Sequence, residues 1–190
     1  VYSLDEASDI NVDPPWQIKK LAAPFNKTWY MRDSNWSPDF KESANTVRDF
    51  YELEGGTEDF DGVIGITPDF VGDLLEITGP TKVPGLPYTF TKENFTETVE
   101  FHVEKNFVNN GIDFHQRKDI LSDLSQILIG EILTLPKDQW PHLYEIAQRA
   151  LMEKHIVVYV DNPEAQQFAM SEKWAGRVLE AEGDYIMVVD

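Results

Sequence analysis

The chain has 190 residues, 42% apolar and 12% aromatic, enough for one domain of ordinary size to bury a core. With 34 acidic against 16 basic residues its formal charge is -18 and its pI near 4.4, which argues against binding a nucleic-acid backbone through net charge. The absence of cysteine removes disulfides, zinc thiolates, iron-sulfur clusters and thiol nucleophiles together, and no apolar run approaches the length of a membrane span.

In chain order the sequence alternates β-like runs with amphipathic helical stretches, without an internal repeat or low-complexity linker, so a single α/β domain over 1–190 is expected. A short helix begins near Pro14-Pro15, carries Trp16, Ile18 and Leu21, and is stopped by Pro24. Thr28-Trp29-Tyr30-Met31 is the first strand candidate. The polar stretch from Arg32 to Phe40 suits a loop feeding a helix N-terminus. That helix should run to Gly55-Gly56 with Phe40, Ala44, Val47 and Tyr51 on one face.

Asp61-Gly62-Val63-Ile64-Gly65-Ile66 is apolar without alternation, the pattern of a central strand buried on both faces. Thr67-Pro68-Asp69 then reads as N-cap, first helical residue and acidic first turn of a helix through Leu74 and Leu75, stopped by Gly79-Pro80. Pro84 and Pro87, between Thr81 and Tyr88, indicate a loop or edge hairpin. Thr91 caps a further helix, with Phe90 and Phe95 as a staple across the cap, and Asn109-Asn110-Gly111 ends it.

From Arg117 a stripe of Leu121, Leu124, Leu128, Ile132 and Leu135, widened by Ile120 and Ile127, predicts a core helix covering the sheet. A helix from Gln139 to Lys154, a strand over 155–160 and a short helix from Pro163 follow. Arg177 to Ala181 and Tyr185 to Val189, joined by Glu182-Gly183-Asp184, read as a closing hairpin.

The nucleophile elbow, the phosphate-binding glycine loop, the zinc-protease motif and the dinucleotide fingerprint are all missing. His102, His115, His142 and His155 are too widely spaced for paired helical ligands, and each reads as structural. Asp59-Phe60-Asp61-Gly62 starts like a calcium loop but lacks the later ligands. Arg32-Asp33 is the more informative pair, because Trp29, Tyr30 and Trp36 surround it and a loop leaving a strand is where α/β sheets place ligands.

Two functions compete at that pair. Arg32 could hold a phosphate while Asp33 holds a divalent cation or takes a proton, or the aromatic residues could form a sugar platform. The structural alternative is an Arg-Asp pair closing the loop over packed tryptophans. Arg117 extends the leucine stripe, so with Lys118 it either meets an anion at a helix N-terminus or lays its stem over the core. Arg32 and Arg117 together would make a cationic pocket in an acidic chain.

The stretches Met31 to Phe40, Asp61 to Pro68, and Leu74-Leu75-Glu76-Ile77-Thr78-Gly79-Pro80 resemble the second part of a bacterial domain of unknown function, family 4012, with the likeness extending roughly from Asp9 to Val189. That family in turn is distantly similar to the LytR-CpsA-Psr phosphotransferases, which transfer anionic glycopolymers from polyprenyl-pyrophosphate carriers. The order of an Arg-Asp pair, a buried strand and a later basic helix start carries the likeness; the second Arg beside Arg117 is missing. The resemblance implies an α/β fold (α+β the alternative) with a mixed central sheet under packed helices. It also implies a piece of a longer extracytoplasmic envelope protein, anchored through a segment upstream of Val1.

On this reading Arg32, Asp33 and Arg117 act on a polyprenyl-pyrophosphate-linked glycan or cell-wall polymer, with magnesium held by Asp33. Trp29, Tyr30, Trp36 and Lys118 contact the ligand, and the fragment, lacking the family's upstream motif, captures without transferring. The rival is a non-enzymatic glycan- or protein-binding module built on the aromatic residues.

Overall fold

The computed structural model describes residues 12–22, 28–102, 119–179 and 182–183. The described residues hold seven α-helices and one pair of strands, and divide into two compact units. One unit takes in 65–156; the other joins the residues up to 64 to those from 157 on.

In the second of these units, α1 spans Trp16–Ala22 and α2 spans Phe40–Leu53. Asp39 caps α2, its side chain accepting from the Lys41 amide at 3.1 Å. Ala44, Phe50 and Tyr51 are buried, so the expected face turns inward, with Ser43 beside it. The expected strand over 28–31 does not form. Trp29 makes a single antiparallel bridge with Val12 and turns its ring edge onto Phe50 at 5.3 Å, and Met31–Asp33 is already a 3-10 turn. The packing of the indole on α2 replaces a ladder.

Strands β1, Gly62–Ile66, and β2, Ile156–Val160, pair antiparallel, their register fixed by Asp161 N–H to Asp61 O at 2.8 Å and Thr67 N–H to His155 O at 3.0 Å. Among the described residues this pair is the whole sheet, where a mixed central sheet was expected. Nor is β1 buried on both faces, since Ile64 is 66% exposed while Val63 is half-buried. An apolar run without alternation does not by itself require cover on both sides, and here one side stays open. In the second unit a Cβ on Gly62 would stand 2.4 Å from the Tyr159 carbonyl oxygen, so the closeness of β2 demands glycine there.

The unit of 65–156 is helical. Pro68–Thr78 forms α3, with proline in the first turn and Gly79 at φ 90 ending it. Phe95–Phe101 forms α4, Asp119–Leu133 forms α5 and Trp140–Met152 forms α6. Helices α4, α5 and α6 all pack on α3, so α5 finds its main partner in a helix and not in the sheet it was expected to cover. Leu75, Val83, Phe90, Phe95, Ile120, Leu124 and Leu128 make the core. The cap of α4 is Asn94 and not Thr91; Asn94 accepts from the Thr91 amide, while the Phe90 and Phe95 rings do meet, 6.3 Å apart.

Pro163–Ser171 forms α7 in the second unit, capped by Asn162, which accepts from the Glu164 and Ala165 amides. Residues 177–179 are not a strand, and most of the predicted hairpin lies outside the described residues, as do Asn109-Asn110-Gly111 and the start of α5's stripe at Arg117.

Candidate functional site

The loop ahead of α2 is built from the inside outward. Trp29, held on Phe50, donates its indole N–H to the Asp33 carbonyl at 3.0 Å, which fixes the 3-10 turn. Ser34 is buried at its end and donates its amide to the Met31 carbonyl. The turn sends Arg32 back over the Tyr30 ring, guanidinium carbon 4.5 Å from the centroid, a cation-π contact. Arg32 Nε stands 4.0 Å from Asp33 Oδ2, with both side chains about a third exposed. Trp36 is 42% exposed.

Thus the structure brings Arg32, Asp33, Trp29 and Tyr30 into one small cluster, with Trp29 serving as its floor. Arg117 and Lys118 lie outside the described residues, so their approach to this cluster lies outside them too. Asp33 contributes one carboxylate beside a guanidinium, and no group of three metal-ligating side chains occurs among the described residues.

Three other arginines are committed to carboxylates, which the sequence did not reveal. Arg48 grips Asp161 with two nitrogens, at 2.8 and 2.7 Å, and reaches the Phe60 carbonyl. Hydrogen bonding to Asp161 raises the Arg48 pKa, and the same bonds hold Asp161 below the ordinary carboxylate range. Arg177 pairs with the capping Asp39 at 2.8 Å. Arg149 and Lys92 both meet Asp73 at 2.8 Å; burial alone would raise Asp73, but these bonds outweigh it and its pKa is lowered. These pairs tie elements together within their own units.

A concave feature belongs to the unit of 65–156. A groove of about 560 Å³ lies among α3, α4 and α5, lined by Ile66, Val71, Leu74, Phe95, Val99, Leu121, Leu124, Leu128, Ile129 and Ile132. Its polar margin is Thr67, Thr96, Ser125 and the single charge Glu100. At the start of α3, Thr67 makes no capping bond with its side chain; its hydroxyl lies 2.9 Å from His155 Nδ1 instead. Sequence reasoning read Thr67 as a cap and His155 as structural, because 88 residues of chain separate them. It missed the groove because the stripe of α5 is the same whether its flank is filled or open.

The described residues make a mixed α/β chain of helices and a two-strand antiparallel sheet. Residues 3–103 match the family described as Protein of unknown function (DUF4012). The match takes in more than half of the 190 residues and all three stretches that suggested it, and the chain belongs to that family. Neither the curated proteins nor the solved structures offered a match.

Proposed function

We propose that the chain captures a phosphorylated, lipid-linked glycan in the bacterial envelope, outside the cytoplasmic membrane, as LytR-CpsA-Psr proteins engage their carriers. The observation that supports this best is the groove: a concavity of about 560 Å³ with one charged residue on its lining suits an apolar chain. In the other unit, taken by itself, Arg32 on the aromatic loop is a guanidinium of the kind that engages phosphate. Capture and not transfer is the reading, because pyrophosphate chemistry needs several positioned charges acting as a unit and Asp33 brings a lone carboxylate. Among the described residues no helix is long and apolar enough to cross a membrane.

The test is a calorimetric titration with a short-chain polyprenyl-pyrophosphate in detergent below its micellar concentration. Ile129→Asp, on an exposed part of the groove lining, should weaken binding. Binding that this change leaves undiminished contradicts the reading. The rival, a glycan-binding module, is favoured by Trp36, which is open to solvent; it predicts binding of neutral oligosaccharides with little salt dependence.

A further inference from the structure

We propose that Thr67 and His155 form a nucleophile-base pair that cleaves carboxylic esters whose acyl chain lies in the groove. The Thr67 hydroxyl occupies a helix N-cap, where its ordinary partner is an amide of the first turn. It turns instead to His155, 2.9 Å from Nδ1. The juxtaposition is set by the backbone, since the Thr67 amide donates to the His155 carbonyl at 3.0 Å where the strand register carries past the ends of β1 and β2. Thr67 is also one of the residues that line the groove.

The surroundings of the imidazole suit a base. Glu153 Oε2 lies 3.8 Å from Nε2 and Asp69 Oδ2 3.7 Å from Nδ1, so a carboxylate stands beside each ring nitrogen. Pro68 has no amide proton, and the Asp69 and Phe70 amides precede the first intrahelical bond of α3, from Val71 to Thr67. Those two amides are the donors for negative charge developing beside Thr67.

In the reaction the Thr67 proton passes to His155 Nδ1 as Oγ1 bonds to the ester carbonyl carbon. Collapse of the tetrahedral intermediate breaks the bond to the alcohol oxygen, which takes the proton back from Nδ1 and leaves as the alcohol. A water molecule then attacks the acyl-threonine, giving its proton to His155. The second collapse returns that proton to Thr67 Oγ1 and releases the carboxylic acid, so no other reactant is consumed.

The experiment incubates the full chain with p-nitrophenyl octanoate, following nitrophenolate release and mapping octanoyl adducts by mass spectrometry. The expected result is release above the buffer rate with an adduct on Thr67. Thr67→Val should lose both, Thr67→Ser should keep release, and His155→Gln should slow it about 100- to 10,000-fold. Circular dichroism establishes that the variants fold, and the wild-type adduct does not depend on them. Release at the buffer rate from the wild-type chain, or release unchanged in Thr67→Val, overturns the proposal. It rests on the groove as a site for apolar chains; polyprenyl-pyrophosphate binding without ester turnover sinks the esterase and leaves capture standing, and turnover without that binding does the reverse.

Discussion

Two glycines show how sharply one position differs from another. Gly176 sits at φ +57, and a Cβ there would lie 2.9 Å from Phe40 Cβ and 3.0 Å from Val157 Cγ1. Gly176→Ala should therefore destabilise its unit by about 1–3 kcal/mol through backbone strain alone, with crowding added. Gly130, inside α5 with nothing near its missing Cβ, should respond oppositely: Gly130→Ala should stabilise by about 0.5–1 kcal/mol. Urea titrations of the two variants check the contrast. His102 adds a pH dependence. It is buried, its ring edge-on to Tyr88 at 5.8 Å and its Nδ1 without a hydrogen-bond partner, and burial lowers its pKa. The fold thus favours neutral His102, so its contribution is whole above the unfolded value of about 6.5 and is lost as pH falls below it. The melting temperature should drop between pH 7 and pH 5 more in the wild-type chain than in His102→Leu; equal drops would contradict the assignment. The carboxylates Asp73 and Asp161, held low by their cations, lose their share only at more acid pH, through the carboxylate range.

The helix α5 tests the packing argument along one element. Leu124 is buried among Leu75, Phe90 and Leu128, whereas Leu133 on the same helix is 70% exposed. Leu124→Ala should cost about 2–5 kcal/mol and Leu133→Ala less than about 0.5 kcal/mol, measured by chemical denaturation. Helices were the most legible part of the sequence, because Pro at first turns and a 3.6-residue apolar period act locally and agree, as at Pro68 and Pro163. Strands were less so. Thr28 to Met31 has strand composition, but it makes only a single bridge, from Trp29 to Val12, while the Trp29 ring packs on Phe50. The apolar run of β1 named a strand correctly and its burial wrongly, since pairing and cover depend on residues nearly a hundred positions away. The clustering of Arg32, Asp33 and Tyr30 was readable because they are consecutive or nearly so; Thr67 beside His155 was not, because only the strand register joins them.

For the whole molecule the charge of -18 sets the terms of binding. A chain so acidic gains little from anionic surfaces, so on the proposed reading affinity for a phosphorylated lipid has to come from burying the apolar part. On that reading the groove of the unit of 65–156 is where the burial occurs, and it is the centre of the account. Photo-crosslinking with a polyprenyl-pyrophosphate carrying a diazirine near the end of its chain, followed by peptide mapping, interrogates it directly. The account predicts labels on α3, α4 and α5, at lining residues such as Val71, Val99, Leu128 and Ile129, and their loss in Ile129→Asp. Labels confined to other surfaces, or labelling that survives Ile129→Asp undiminished, would contradict it.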